Sequence, residues 1–283
     1  MSSSSPILWV VATPIGNLGD LSPRAREVLT QADIILAEDT RITGRLLHLT
    51  GISGKRLMSL YEHNETARIE QVLDLLGQGH SLALVSSAGT PLMSDPGYAL
   101  VKACRLAGFG VSPVPGPSAP IAALMASGLP PLPFTFLGFL PRKTGDKRRL
   151  FEEYAQVSTT LVFFERISRL QTSLHTAHSV LGQREVCLAR ELTKRYESFL
   201  PLSLHAQMEV PEGLAGEVTV IIAPGGKKAR VTETEEVVRI LRDQAKPGLG
   251  AKAVVAQSAK AISGWGKKAL YDLYQREVKH DRS

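Results

Sequence analysis

The sequence predicts an α/β fold with two domains and a small helical tail. The chain has 283 residues, 43% of them hydrophobic, which is enough to bury two cores of ordinary size. Short apolar runs alternate with amphipathic segments, as they do in parallel sheets covered by helices. The excess positive charge is confined to the C-terminal end of the chain. The proportions of hydrophobic and charged residues, 43% and 21%, exclude a disordered or fibrous protein.

The first domain, residues 1–129, is predicted from apolar runs that alternate with helical segments. Each run is continuous, which is typical of a strand buried on both faces of a parallel sheet. Ser22 and Pro23 fit the N-cap and the first position of the first helix. The predicted strands are 7–12, 34–36, 82–85 and 111–114, and the predicted helices are 23–31, 40–49, 66–76 and 97–107.

The second domain, residues 130–224, follows a proline-rich linker at 130–133. Strand and helix patterns alternate again, but several strands are close enough in sequence to pair antiparallel, so we predict a mixed sheet. The predicted strands are 134–139, 160–164, 185–189, 195–200 and 217–223, and the predicted helices are 146–156 and 168–181.

The tail, residues 225–283, is basic and helical. It holds 13 Lys and Arg against 7 Asp and Glu, whereas residues 1–224 hold 20 of each kind. Helices are predicted at 232–244, with Thr232 as the N-cap, at 251–262 and at 267–277. Two short basic helices joined by a glycine turn resemble a helix-turn-helix that contacts nucleic acid. The alternative is a helical hairpin with a solvated basic face.

The N-terminus and the cysteine content favour a cytoplasmic protein. No basic n-region precedes the apolar run at 7–12, which is also too short for a signal peptide core. A stretch without charge lies between Arg105 and Arg142, but its prolines exclude a membrane helix, so we predict strand ends and loops there. Two cysteines suit a reducing compartment.

Four loops that follow predicted strands are rich in Gly, Pro and small polar residues. In an open parallel sheet, ligands bind beyond the carboxyl ends of the strands, so these loops are expected to converge on one rim. Small residues let the backbone approach a ligand closely. No dinucleotide, P-loop or serine-hydrolase motif is present, and the histidines and cysteines lack metal-ligand spacing, so no metal is predicted. The loops are 13–20, 37–41, 86–97 and 115–119.

The loops contain five motifs: Val11-Ala-Thr-Pro-Ile-Gly-Asn-Leu-Gly-Asp20, Ala37-Glu-Asp-Thr-Arg41, Val85-Ser-Ser-Ala-Gly-Thr-Pro91, Ser94-Asp-Pro-Gly97 and Pro115-Gly-Pro-Ser-Ala119. With these motifs, the chain resembles the tetrapyrrole methylase superfamily and, more narrowly, its branch of ribosomal RNA small subunit methyltransferases I. Gly138-Phe-Leu-Pro-Arg142, Ala189-Arg-Glu-Leu-Thr-Lys194 and the basic tail extend the resemblance over nearly the whole chain. Two sites depart from the family pattern. Ser87 replaces an Asp, and Arg166 and Ser168 alter a Glu-Ser-x-His-Arg motif.

The resemblance implies an enzyme and its partners. It implies transfer of a methyl group from S-adenosyl-L-methionine to the ribose 2′-oxygen of a decoding-centre cytidine in bacterial 16S rRNA. It also implies two α/β domains with the cofactor in the cleft between them, a homodimer, and the 30S ribosomal subunit as partner. Two alternatives stay open: methylation of a small tetrapyrrole, and a non-catalytic RNA-binding protein that uses the same fold.

Three groups of candidate site residues follow from the loops and the resemblance. Catalysis is assigned first to Glu38, Asp39 and Arg41, although either carboxylate could instead cap the helix at 40–49 and Arg41 could be a structural ion-pair partner. Further charged candidates are Glu165, Glu191, Glu217, Lys143 and Lys194. The predicted cofactor site comprises Ser86, Ser87, Ala88, Gly89, Thr90, Pro91, Ser118, Ala119, Phe164 and Glu165.

The predicted RNA contacts are basic residues in two regions. One begins at Arg142 and Lys143 and continues through Lys147, Arg148 and Arg149, where a solvated helix start is the alternative. The other is the tail. Its predicted RNA-binding residues are Lys252, Lys260, Lys267 and Lys268.

Overall fold

The chain divides into two compact units, Met1–Pro224 and Gly225–Ser283. A computed structural model describes residues 6–211, 213–214, 216–225, 232–245, 249–259, 261–262 and 264–278. The first unit contains two five-stranded sheets. The domain boundaries predicted near residues 129 and 224 stay predictions.

The first sheet is parallel throughout and has the strand order β3-β2-β4-β1-β5. Alternate residues of each strand point to opposite faces, so Leu36 and Leu84 join one core while Ile35 and Ala83 join the other. Both faces are therefore buried, as the continuous apolar runs predict. The strands are β1 (Ile7–Val11), β2 (Ile34–Ala37), β3 (Arg56–Ser59), β4 (Leu82–Val85) and β5 (Gly110–Val114).

Helices cover both faces of this sheet. Ser22 accepts a hydrogen bond from the Ala25 amide at 3.0 Å, which confirms it as the N-cap of the first helix. A short 3-10 turn, Leu18–Asp20, precedes that helix. The helices are α1 (Pro23–Gln31), α2 (Thr40–Leu49), α3 (Glu65–Gly77), α4 (Tyr98–Leu106) and α5 (Ala119–Ala126).

Two elements of the first domain were absent from the sequence prediction. Strand β3 is a four-residue edge strand in which only Met58 is buried, so it lacks a continuous apolar run. Helix α5 lies in the segment predicted as strand ends and loops, and that prediction is wrong for these residues. Its proline, Pro120, occupies the first turn, where the missing amide hydrogen has no intrahelical partner to lose.

The second sheet is mixed, as predicted, with the order β6-β7-β10-β8-β9. Only β6 and β7 pair parallel; the other neighbours are antiparallel. A core that includes Phe151, Phe163 and Leu174 lies between the sheet and its helices. The elements are β6 (Phe134–Phe139), β7 (Thr160–Arg166), β8 (Arg184–Arg190), β9 (Ser198–Leu204), β10 (Glu217–Ile222), α6 (Thr144–Tyr154) and α7 (Ile167–Leu181).

Strand β6 contains a bulge near its end. Phe136 pairs with Val162 and Phe139 with Phe164, so three steps along β6 match two steps along β7. Residues three apart on a regular strand point to opposite faces. The extra residue brings Phe136 and Phe139 to the same side, and both rings lie about 5 Å from the Phe164 ring.

A buried charge network joins β7 to both helices of the second sheet. The Glu165 side chain is fully buried, and its carboxylate lies 2.6 Å from Arg169 Nη2 and 3.7 Å from Lys147 Nζ. The Ser173 hydroxyl donates to Glu165 Oε2 at 2.6 Å and accepts from Lys147 Nζ at 2.7 Å. Lys147 is therefore buried, and the prediction that it belongs to a phosphate-contacting or solvated cluster is wrong.

Within the residues that the structure describes, the second unit contains three helices that pack around their own core. Val237, Leu241, Val254, Leu270 and Leu273 are among the buried residues that form it. The helices are α8 (Thr234–Gln244), α9 (Ala251–Ser258) and α10 (Lys267–Glu277).

The start of α8 differs from the sequence prediction. Its N-cap is Glu233, without a side-chain capping bond, so the prediction of Thr232 as the N-cap is wrong. The Thr232 carbonyl instead accepts a hydrogen bond from the Trp265 indole at 2.7 Å.

Among all residues that the structure describes, no helix is long and apolar enough to cross a bilayer.

Replacing Lys147 with methionine is expected to lower the free energy of unfolding of the first unit by about 3 kcal/mol, since it leaves the buried Glu165 carboxylate with one cation fewer. Urea unfolding followed by Trp9 fluorescence, in a Trp265→Phe background, measures this. Arg148→Met, at an exposed site on the same helix, is the control and should change stability by less than about 0.5 kcal/mol. Equal stability of the two variants would contradict the role of Lys147.

Candidate functional site

A cavity of about 350 Å³ is lined by loops from both sheets of the first unit. We call it the loop cavity. Its size is that of a typical small-molecule site. Loops after β1, β2, β4 and β5 line one side, and β6, β7, β10 and the loop after β8 line the other. The lining residues are Ile15, Glu38, Ser87, Ala88, Gly89, Thr90, Met93, Ser94, Asp95, Ser118, Ala119, Pro120, Phe139, Phe164, Glu165, Glu191, Leu192, Lys194, Glu217, Val218 and Thr219.

Hydrogen bonds join the loops that follow β1, β4 and β5. The Thr13 and Gly89 backbones exchange two hydrogen bonds, at 2.9 and 3.0 Å. The Thr90 hydroxyl donates to the Pro117 carbonyl at 3.0 Å. These contacts fix three of the four predicted loops together at the carboxyl end of the sheet. The structure thus brings the loops to one rim, as the parallel arrangement requires.

Glycines allow the loops of the two sheets to touch. A Cβ on Gly16 would lie 2.5 Å from Lys194 Cγ and 2.9 Å from the Leu192 carbonyl oxygen. A Cβ on Gly138, which has a φ of +66°, would lie 2.9 Å from Ser94 Oγ. A side chain at Gly16 would therefore collide with the backbone of the loop after β8, and one at Gly138 would collide with the Ser94 hydroxyl and strain the backbone.

Backbone strain is concentrated in two loops of the cavity wall. Within the described ranges, the non-glycine residues with positive φ are Leu92, Ser94, Glu191 and Thr193, at 71°, 76°, 51° and 63°. Ser94 and Glu191 line the cavity itself, and the other two are their near neighbours. Such conformations cost about 1–3 kcal/mol each and are often found at binding and catalytic sites. The strain therefore supports a functional role for the loop cavity.

Two carboxylates, Glu38 and Asp95, line the loop cavity on the side of the first sheet. The Ser87 amide donates to Glu38 Oε2 at 3.1 Å, which fixes that side chain. Burial, together with the nearby charge of Glu38, raises the pKa of Asp95 to about 6, although a hydrogen bond from Ser86 opposes the shift. Asp95 was not selected from the sequence. The signal that could have identified Asp95 in the sequence was its position in the Ser94-Asp-Pro-Gly97 part of the third loop.

Asp39 and Arg41 are arranged differently from Glu38 and do not line the loop cavity. Asp39 is the N-cap of α2, accepting from the Arg41 and Ile42 amides. Arg41 also donates to both Asp39 carboxylate oxygens, at 3.1 and 2.7 Å, and its side chain is 89% exposed. These bonds to Arg41 hold the pKa of Asp39 at about 2. The geometry matches the capping and ion-pair alternatives for these two residues.

Most of the residues predicted to bind the cofactor line the loop cavity. Ser86 and Pro91 do not: both are buried, and the Ser86 Oγ lies 3.3 and 3.2 Å from the Ala88 and Gly89 carbonyl oxygens of its own loop. The Glu165 carboxylate is turned away toward Arg169 and Lys147. Those that line the cavity are Ser87, Ala88, Gly89, Thr90, Ser118, Ala119, Phe164 and Glu165.

The predicted RNA-binding residues are divided between the two units of the chain. Arg142 and Lys143 are exposed between the end of β6 and the start of α6. Lys252, Lys267 and Lys268 are exposed in the first turns of α9 and α10, in the second unit. Lys260 is outside the described residues.

Comparison with known proteins defines the class. The profile of Tetrapyrrole (Corrin/Porphyrin) Methylases matches residues 8–207. Among solved structures, the methyltransferase CobJ superposes with a TM-score of 0.60 at 18% identity, covering 78% of this chain and 95% of its own, which shows a shared fold. The chain is a member of the tetrapyrrole methylase family.

Closer relatives define the branch within that class. Ribosomal RNA small subunit methyltransferase I of Xylella fastidiosa (strain Temecula1 / ATCC 700964) is 44% identical over 276 residues, 95% of this chain and 99% of that protein. Its namesake from Vibrio cholerae serotype O1 (strain ATCC 39315 / El Tor Inaba N16961) is 51% identical over 203 residues, 71% of this chain and 70% of that protein. Within the tetrapyrrole methylases, the chain belongs to the ribosomal RNA small subunit methyltransferase I family.

Replacing Glu38 with glutamine is expected to lower the pKa of Asp95 below its value of about 6, because the neighbouring negative charge is removed. The folded chain holds the Asp95 proton more tightly than the unfolded chain. In the wild type this group's contribution to stability therefore falls as the pH rises from about 4 to about 6. NMR titration of ¹³C-labelled aspartate carboxyls measures the pKa, with Asp95→Asn identifying the signal. An unchanged pKa in Glu38→Gln would contradict the coupling.

Proposed function

We propose that this chain transfers a methyl group from S-adenosyl-L-methionine to the ribose 2′-oxygen of a decoding-centre cytidine in bacterial 16S rRNA. The observation that carries the proposal is the loop cavity, formed where both sheets meet in a chain of the ribosomal RNA small subunit methyltransferase I family. The proposed setting is the cytoplasm, where the 30S subunit is found, and the proposed assembly is a homodimer.

The lining of the loop cavity supports binding of S-adenosyl-L-methionine. The cofactor carries a sulfonium and an ammonium group, which suit a wall containing the carboxylates of Glu38 and Asp95. Close backbone approach suits its adenosine, and Gly89 supplies it, because it lines the cavity without a side chain. The residues proposed to hold the cofactor are Ser87–Thr90, Ser118, Ala119 and Phe164.

When bound, the cofactor supplies an electrophilic methyl group for an in-line displacement. The chain's own contribution is to position the acceptor hydroxyl and to remove its proton. Asp95 is the proposed proton acceptor, since it lines the cavity and its raised pKa is closer to neutrality than that of an ordinary aspartate. Glu38, fixed by the Ser87 amide, is proposed to maintain that pKa and to attract the cationic cofactor. Asp39 and Arg41 are proposed to contribute only by stabilising the start of α2.

The basic second unit is proposed to contact rRNA. Lys252, Lys267 and Lys268 occupy first turns of helices, where the helix dipole disfavours cations. Helix stability therefore does not explain their placement, whereas contact with phosphates does.

The proposed homodimer would use an apolar face on α5. Ile121 and Met125 lie four residues apart on this helix and are 44% and 82% exposed, which suits such an interface.

Labelled methyl transfer from S-adenosyl-L-methionine tests the function. Naked 16S rRNA and 30S subunits from cells lacking the modification are compared as acceptors, and mass spectrometry locates the product. We expect label on a ribose oxygen of a decoding-centre cytidine. Gly89→Val is the control, because its side chain meets Ile15 at a backbone φ of +82° and should abolish cofactor binding in calorimetry. Binding of the cofactor without transfer to either RNA would favour the small tetrapyrrole substrate.

Deleting residues 225–283 is expected to raise the KM for the ribosomal substrate while leaving the affinity for S-adenosyl-L-methionine unchanged. The remaining chain, Met1–Pro224, is a compact unit that contains the whole loop cavity. Steady-state kinetics and calorimetry measure the two effects. A truncated chain that methylates 30S subunits with the wild-type KM would refute the role of the tail.

A further inference from the structure

A second cavity, also about 350 Å³, lies beside the loop cavity on the second sheet. It is lined by Phe139, Leu140, Arg142, Arg166, Ser168 and Arg169, and we call it the arginine pocket. Phe139 lines both cavities, so the two open next to the same aromatic ring. Arg166 and Ser168 both line the arginine pocket.

The arginine pocket is strongly positive. Arg142 and Arg166 are exposed, and within the described part of the chain neither side chain has an ion-pair or hydrogen-bond partner. Arg169 pairs with Glu165, but that carboxylate also faces Lys147, so two cations share one anion. The network behind the pocket therefore carries a net positive charge, and the two free arginines add to it.

Hydrogen-bond donors in the residues that line this pocket lack matching acceptors. Arg169 Nε is buried and has no hydrogen-bond partner. Ser168 and Arg169 lie in the first turn of α7, and no side chain caps that helix. The amides in the first turn of α7 therefore lack a capping acceptor, and a ligand with several acceptor oxygens would satisfy them.

Phosphate in an RNA backbone matches these features. Guanidinium groups bind phosphate with paired, charge-assisted hydrogen bonds. In RNA, a ribose 2′-oxygen is only a few covalent bonds from the 3′ phosphate, so a ribose that enters the loop cavity brings a phosphate close to it. The Phe139 ring, 49% exposed between the two cavities, offers a surface on which an unstacked base can lie.

We propose that the arginine pocket is a subsite for a backbone phosphate of the RNA substrate, adjacent to the nucleotide that is methylated. Arg142 and Arg166 bind the phosphate directly, and Arg169, held by Glu165, completes the pocket wall. This assignment rests on the proposed rRNA methylation.

The test uses the full-length chain with Arg142→Gln, Arg166→Gln and the double variant. Each single change is expected to raise the KM for unmodified 30S subunits by about tenfold, the effect of losing one charge-assisted hydrogen bond. Each is also expected to reduce the slope of log KM against log salt concentration by about one. The calorimetric affinity for S-adenosyl-L-methionine should stay at the wild-type value, which separates the subsite from the cofactor site.

Arg45→Gln is the matched control, because Arg45 is an exposed arginine on α2 that lines neither cavity. It should change neither KM nor the salt slope. A double variant with the wild-type KM and salt slope, in an enzyme that methylates 30S subunits, would overturn the subsite and leave the proposed function standing. A wild-type chain that methylates no RNA would overturn both.

Discussion

The burial of the Glu165 carboxylate constrains the whole second half of the first unit. An ionised carboxylate is stable in the interior only when cations and hydrogen bonds replace its water. Lys147 from α6, together with Arg169 and Ser173 from α7, meets that need, so both helices are fixed against the end of β7. The same arrangement leaves Phe164 in the wall of the loop cavity and Arg169 in the wall of the arginine pocket. One buried charge thus sets the geometry of two adjacent sites.

The contact between the loops of the two sheets depends on glycines. A Cβ on Gly16 would collide with the loop after β8, and a Cβ on Gly138 would collide with Ser94 in the loop after β4. The non-glycine residues with positive φ lie in these two loops, after β4 and after β8. Close approach and strained backbone narrow the space between the sheets to a cavity of small-molecule size. The bulge in β6 has a related effect, since it turns Phe139 toward Phe164 at the boundary of both cavities.

Local patterns account for the parts of the fold that sequence predicted well. The continuous apolar runs of β1, β2 and β4 indicated strands buried on both faces, and Ser22 with Pro23 indicated the start of α1. Elements without such signals were missed, namely the short edge strand β3 and helix α5, whose proline was taken as a helix breaker. The glycine at position 138 was a visible signal for the bulge, because glycine inside a strand often marks one.

The sequence by itself determined the fold class, the loops that form the rim and the separation of a neutral body from a basic tail. These properties follow from periodicity and composition, which are local. Only the tertiary structure decided which side chains share a site. Glu38 reaches the Ser87 amide, 49 residues away, because β2 and β4 are neighbours in the sheet. The roles of Lys147 and Asp39 likewise depend on their surroundings. Lys147 is buried against Glu165, and Asp39 caps α2.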